Sequence, residues 1–587
     1  MSAPLVPFYP MTHDDAVRIA NAIIAGATPG ASEDALDEMF SAMIDGENTT
    51  SIFRHWWPLA RKQDIDAAAL QEGASDAGTV ANRYHTLDRW FALLAKAWSG
   101  KYYTLRGADW QANTTGVTTL TPMGDLAGRI AAVCATENTA DDFDWADEDP
   151  MTWYIRFNGL SLADGTMNVL AVEGVDDAFD ISGNLGPVYT GRLALWKRWY
   201  SDGVYEYKTF TTVEEGGFVP WAADVAPTTN AHRHMNWQAT FAGSLYGDKL
   251  TSGSGFHGMT WERNGNTTAI NRAASTGITD ARKWDSYEGV YSDTDLEPIL
   301  DLFQLRHFDL ENSGIIEGCT SYNLDYTVAV AEEDVRSVVV TTAQGESILI
   351  GSFLDVGSAA RGGQRARGNV IRKETVTIES TDYCRVTLDV SADFTTQEGD
   401  HVSTLPWTPG TTEHLPGHKD GCLGSCTAGK TPARIAGVEI IDGGYALGLD
   451  PLWNSDWDST RTPKSIYTVY QCRNSENQAG SITANYVASG TFTGPNSGWQ
   501  YIKHLEIRTD GMIVPDAVGG SSSTFYKSAF SFHGSSGTRA LWRFCTLDGG
   551  GTAGLAGAIG NVAPSSAYWY GRPRLSGSGK KRGEWAA

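Results

Sequence analysis

Cysteine is scarce in this 587-residue chain: seven residues, an odd number scattered from Cys134 to Cys545, do not read as a paired disulfide framework. Positive charge is short as well. Forty-five Lys and Arg stand against 70 Asp and Glu, a formal net charge of −25. Phosphate binding needs clustered cations, so a nucleic-acid partner is not expected. No run of about 18 apolar residues occurs, so membrane insertion is not expected either. The opening MSAPLVPFYPMTHDD has neither a basic n-region nor an apolar h-region, so no cleaved secretory leader is expected. Synthesis in a reducing cytoplasm follows, with assembly into a virion as one route to an external site. Two catalytic signatures are missing too: there is no Gly-x-Ser-x-Gly elbow and no His-Glu-x-x-His. No cofactor is expected.

What the chain does hold is aromatic and turn-forming residues: 20 Trp, 23 Tyr, 20 Phe and 64 Gly. Its 41% hydrophobic and 20% charged content is that of a folded protein, and the length implies two to four domains. The first hundred residues read as helices. Thr12-x-x-Asp15 resembles a capping box ahead of Ala16, Ile19, Ala20 and Ile23. A second apolar stripe comprises Leu36, Met39, Phe40 and Met43, and a third runs through Leu87, Trp90, Phe91, Leu94 and Trp98. Such stripes serve either a bundle core or an oligomerisation and docking face.

From about residue 130 the pattern turns to strands. Trp153 to Phe157 alternates, and Asn158-Gly159 and Ser201-Asp202-Gly203 are hairpin-turn signals. The acidic stretch Asp141–Asp149 reads as a solvated linker, because it lacks the ligand spacing and central Gly of an EF-hand. A further β-rich segment spans about 325–400. Its Arg361, Arg365, Arg367, Arg372 and Lys373 read as a basic, solvated loop. Beyond 400, turn residues dominate and periodicity fades, which suggests a surface made mostly of loops.

Two clusters raise other chemistries. His414, His418, Cys422 and Cys426 recur at intervals of four and are ligand types that zinc accepts, although the usual long loop between the pairs is missing. A metal is not expected there. Asp450, Asp456 and Asp458 beside Trp453 and Trp457 could form the paired-carboxylate groove of a tailspike-like glycan hydrolase.

Four segments carry a resemblance. They are His234 to Phe241 with Gly247 to Gly253; Asp295 to Leu300 through Glu311-Asn-Ser-Gly to Thr320; Leu405 to Thr412 followed by Arg434 to Glu439; and Gly511 to Thr524 through Gly571-Arg-Pro-Arg-Leu575. In order and spacing they resemble the target proteins of phage and prophage diversity-generating retroelements, over about residues 225–587. That resemblance implies a C-terminal C-type-lectin fold of the formylglycine-generating-enzyme variety, with a variable region at about 541–575. The parent enzyme uses a redox cysteine pair near its C-terminal end, where this chain has only Cys545, so catalysis is not implied. Trp542, Phe544, Ala553, Gly554, Leu555, Trp569, Gly571, Arg572 and Arg574 would be framework. Thr546, Leu547, Asp548, Ala558, Val562, Ala563, Ser566, Tyr568 and Tyr570 would be the diversified, ligand-contacting positions, exposed on one surface.

The expected fold class is α+β and multidomain. It comprises a helical region (1–128), a β-rich domain (129–224) and a C-type-lectin-like domain (225–587) with a β-rich insertion near 325–400. The expected function is that of a non-enzymatic receptor-binding protein of a phage tail or fibre, with a bacterial surface adhesin as the alternative address. Its implied partners are a host-cell surface protein or glycan and other virion tail proteins. The implied assembly is a homo-oligomer, and fibre and tail proteins of this type are often trimers. The genomic expectation is a near-copy of the DNA encoding 541–575 beside a reverse-transcriptase gene, which sequencing of the flanking DNA checks.

Overall fold

Strand-forming runs such as Ser-Val-Val-Val-Thr at Ser337–Thr341 set a β-rich architecture of several sheets. The computed structural model describes residues 100–132, 151, 154–162, 167–173, 178–225, 235–415, 428–472, 474–494, 497–508 and 510–576. The helices expected before residue 100 and the linker Asp141–Asp149 lie outside the described residues. Among the described residues no helix is long and apolar enough to cross a membrane.

The largest sheet has eleven strands and is built almost wholly from residues beyond 440. Its central strand, Tyr445–Trp457, is buried at every position from Tyr445 to Trp453. This corrects the expectation of a loop-dominated chain after 400. Periodicity fades there because a strand covered on both faces needs no alternation of apolar and polar residues. Gly448 is required in this strand: a Cβ would stand 2.0 Å from the Tyr291 carbonyl oxygen of the neighbouring strand.

A four-stranded sheet joins Ile155–Ser161, Met167–Val172, Val188–Leu193 and Met235–Ala239. Asn158-Gly159 is no hairpin turn but an irregularity inside the first of these strands. The buried Asn158 amide donates to the Asp180 and Gly186 carbonyls (2.8 and 2.7 Å), and its oxygen accepts the Asp180 N–H. Long-range bonding thus overrides the local turn preference.

A five-stranded sheet orders Thr121–Gly124, Tyr102–Ala108, Tyr205–Thr211, Trp196–Ser201 and Val219–Pro220. Here the Ser201–Gly203 signal is a hairpin turn, with the Asp202 carboxylate accepting the N–H groups of Val204 and Tyr205. The strands at 102–108 and 121–124 correct the helical assignment up to 128. Tyr103 and Leu105 alternate inward from the first of them into the main core.

That core runs from Tyr103 and Phe210 through Leu296, Leu300 and Phe303 to Trp453 and Phe530. A second joins Phe157, Tyr189, Trp237, Leu447, Trp542 and Leu575. Among the described residues, the strands of 129–224 therefore share their cores with the apolar faces of 235–320 and 428–576. Residues 325–404 differ. Their six-stranded sheet encloses a separate core of Val338, Val340, Leu354, Val386 and Leu388.

The helix Asp293–His307 lies buried along its whole length, charges included. Ser292 caps it: its hydroxyl accepts the Thr294 N–H, and the Asp295 carboxylate accepts the Ser292 N–H. Asp293 takes two parallel bonds from Arg543 (2.8 and 2.7 Å), whose guanidinium also donates to the Ile513 carbonyl. Lys197 pairs with Glu297, and Trp221 Nε1–H donates to Asp301 at 2.8 Å. Removing one member of such a pair leaves the other charge buried without compensation. Arg543→Ala is therefore expected to lower the unfolding free energy by about 3–5 kcal/mol, read from denaturant melts.

Candidate ligand-binding surface

The segment 541–575 is held by buried groups from distant parts of the chain. The Glu311 carboxylate accepts the N–H groups of Asn312 (2.8 Å), Leu555 (2.8 Å) and Ala556 (2.7 Å) and the Ser528 hydroxyl (3.1 Å). The Asn312 side-chain oxygen shares the Leu555 N–H at 2.8 Å. Gly554, at φ +145°, lets the backbone pass: a Cβ would lie 3.0 Å from Glu311 Oε1. Arg572 pairs with Asp442 (2.5 Å) and donates to the Trp407 carbonyl (2.9 Å). Arg574 donates to the carbonyls of Glu439 (2.7 Å) and Ala239 (2.6 Å). The four segments of the sequence resemblance thus meet around one stretch of chain. Trp542, Phe544 and Leu555 are buried at 0%, 2% and 0% exposure, and Ala553, Gly554 and Gly571 are buried as well.

The nine positions expected to face solvent divide. Leu547 is fully buried among Cys319, Tyr322 and Trp407, and Tyr322 donates its N–H to the Leu547 carbonyl at 2.8 Å. Ala558 is fully buried within a central strand, and Thr546 is 8% exposed with its hydroxyl on Asp548. These three are corrected to scaffold: an apolar plug, a sheet position covered on both faces and a turn-stabilising hydroxyl. Asp548 is exposed, and Val562, Ala563 and Ser566 are half-buried. Tyr568 is 42% exposed and stacks on half-buried Tyr570 at 5.0 Å and 14°. Both rings rest edge-on against Trp542, and Tyr570 also meets Tyr445. Burial raises the Tyr570 hydroxyl above its ordinary range. The Tyr568 carbonyl accepts the N–H of Asn271, and the Tyr570 carbonyl that of Tyr445. The result is an aromatic ledge on a pinned backbone.

Arg361 is a member of this surface that its sequence did not reveal. It stands 4.0 Å from the centre of the half-buried Trp569 ring, feels the Asp548 charge, and donates to the Thr404 carbonyl at 3.0 Å. The only signal was the cluster of basic residues, which read as a solvated loop. The others lie on the strand Gly362–Ile378 and are engaged. Arg365 pairs with Asp400, Arg367 with Asp355 and Arg372 with Glu374, while Lys373 donates to the Gly345 and Ile348 carbonyls. On the other side of the 546–552 turn, Gly550 and Gly551 border a polar cleft of about 480 Å³, with Glu317, Thr320, Ser522, Ser523 and Lys527.

The carboxylates of the hydrolase alternative are dispersed in role. Asp450 is buried and accepts from the Ser292 hydroxyl and the Cys472 N–H, both at 3.0 Å. Asp456 pairs with Arg461, Asp458 caps the turn at Thr460, and Trp453 is core. His414 packs between the rings of Phe256 and Trp261, while His418, Cys422 and Cys426 lie outside the described residues. Among the described residues no group of three or more His, Cys, Asp or Glu is placed to hold a metal ion. Cys319, Cys384 and Cys545 form no disulfide among the described residues.

Compared with known proteins, the chain matches no family model and no curated protein.

Burial pushes the Glu311 carboxyl up to about 7, against the opposing effect of its four donors. An acid whose pKa is higher folded than unfolded contributes stability at low pH that is lost as pH rises through the folded value. Stability of the wild type should therefore fall between about pH 4.5 and 7 through this group. Glu311→Gln should remove that component while weakening the fold at every pH, since an amide cannot accept all four donors. Denaturant melts across this range check both.

Proposed function

We propose that this chain is a non-enzymatic receptor-binding protein of a phage virion, and that it recognises a host-cell surface protein or glycan through the 541–575 surface. The observation that carries the reading is the Tyr568–Tyr570 ledge: large rings offered to solvent from a backbone fixed by buried partners. Tyr and Trp give broad contact at small rotamer cost, and interface energy concentrates in such residues. The resemblance to diversity-generating-retroelement targets supports the same reading, with a C-type-lectin-like scaffold carrying the variable positions. The proposed contact set is Asp548, Val562, Ala563, Ser566, Tyr568 and Tyr570, with Arg361 and Trp569 beside it. Thr546, Leu547 and Ala558 belong to the scaffold.

The division follows from energetics. Core truncations cost roughly 2–5 kcal/mol each, against a total stability of about 5–15 kcal/mol. Only positions outside the core tolerate repeated rewriting. The expected assembly, a homo-oligomer joined to other tail proteins, belongs to this proposal and rests on the resemblance.

Tyr568→Ala is expected to weaken binding to host cells by about 2 kcal/mol or more and to lower stability by about 0.5–1.5 kcal/mol through its lost ring contacts. Tyr570→Ala should weaken binding too but lower stability more, because Tyr570 is more buried and also packs on Tyr445. Cell-adsorption assays beside thermal melts check this. Unchanged adsorption by a folded Tyr568→Ala protein would overturn the site.

A further inference from the structure

The hairpin of Trp196–Ser201 and Tyr205–Thr211 buries Trp196 but leaves other large side chains partly in water. Trp199 is 43% exposed and Tyr200 52%. Within the hairpin, the Lys197 ammonium stands 4.8 Å from the centre of the Trp199 ring. On one face Tyr200 stacks on its cross-strand partner Tyr207 at 4.7 Å and 9°. On the other, Trp199 and its partner Lys208 form one wall of a cleft of about 170 Å³.

The strand Gly498–Ile507 supplies the opposite wall through His504. That ring is held in place from two sides. It stacks on Trp110 at 4.7 Å and 19°, and its Nδ1 bonds Asp516 at 2.7 Å. Buried Phe210 and Tyr526 line the cleft beneath. Glu206, Lys208 and Asp301 bring carboxylate and ammonium groups to the same space. Burial raises the Glu206 carboxyl above its ordinary range, so this acid is already partly withdrawn from water.

Size and chemistry narrow the occupant. A cavity of about 150 Å³ holds one benzene ring, so this cleft takes one six-membered ring and not a helix or a folded partner. A purely apolar ring would strip water from Glu206 and Lys208 without replacing it. A free anion would meet two carboxylates. A polyhydroxylated ring suits all the walls at once: its C–H face packs on an aromatic ring, while its hydroxyls donate to a carboxylate and accept from an ammonium.

We propose that the cleft between the 196–211 hairpin and the strand Gly498–Ile507 binds one pyranose ring of a surface glycan, as a second recognition site apart from the 541–575 surface. Trp199 is the stacking platform, and Glu206 and Lys208 are the hydroxyl partners. The site lies between the five-stranded sheet and the strand Gly498–Ile507 of the eleven-stranded sheet, and it contains none of the proposed variable positions. Its specificity is therefore constant while the other surface changes.

The test uses the full chain and a panel of methyl pyranosides (glucose, galactose, mannose, N-acetylglucosamine and rhamnose), read by saturation-transfer NMR. At least one glycoside should bind at millimolar concentration, with saturation strongest on its ring C–H protons. Trp199→Ala should weaken that binding roughly tenfold, as expected for loss of one stacked aromatic partner. Glu206→Gln should weaken it with the aromatic wall intact, and Tyr568→Ala should leave it unchanged. Circular dichroism establishes that each variant is folded. The proposal is overturned if no glycoside of the panel is saturated, if folded Trp199→Ala binds as the wild type does, or if Tyr568→Ala abolishes binding. The first two outcomes leave the 541–575 reading standing.

Discussion

A carboxylate taken out of water must be met by donors, and Glu311 meets four of them on chain segments more than two hundred residues away or immediately adjacent. Much of the C-terminal architecture depends on this constraint. The donors at Leu555 and Ala556 are backbone N–H groups, so the bond set is indifferent to which side chains neighbouring residues carry. The same logic recurs at Arg574, which donates to the carbonyls of Glu439 and Ala239, and at Arg572 on the Trp407 carbonyl. A scaffold fixed through main-chain groups holds its shape while exposed side chains between the anchor points differ.

What was legible in the sequence was mostly what is local. The Ser201-Asp202-Gly203 turn forms because the Asp202 carboxylate bonds N–H groups two and three residues on, a contact that needs no distant partner. Asn158-Gly159 has an equally strong local signal and does something else. Its amide finds Asp180 and Gly186, and no window around residue 158 contains that information. The strands after 440 were missed for a third reason. A strand buried on both faces, such as Tyr445 to Trp453, carries no period of two, and its Gly and Asp resemble turn residues until the sheet around them is known.

The candidate surface was legible in the same partial way. Tyr568 and Asp548 stand in water, but Leu547 and Ala558, adjacent in kind and position, do not. Leu547 fills a space left between Tyr322 and Trp407, residues 225 and 140 positions earlier in the chain. Its burial is a property of that gap, and residues 541–575 alone do not encode it. Arg361 shows the converse. A cation that read as solvated is placed over Trp569 because the separate core of residues 325–404 carries it there.

That placement changes what the inserted sheet is for. Val338, Leu354 and Val386 give residues 325–404 a core independent of the rest, so the insertion does not stabilise the main cores by sharing apolar surface with them. Its Arg361 nevertheless reaches the edge of the proposed contact set, under the influence of the Asp325 charge. Asp325 is bonded to His401 and Ser403, and Arg361 to Thr404, so both are held by the insertion's own strands. The insertion also meets the scaffold of this surface directly: its Leu349 packs against the small cluster of Cys319, Tyr322, Trp407 and Leu547, on which Trp569 also rests. The proposed surface therefore has two supports joined at that cluster. The ledge is anchored through Trp542 and Tyr445, and Arg361 is anchored by the insertion's Thr404.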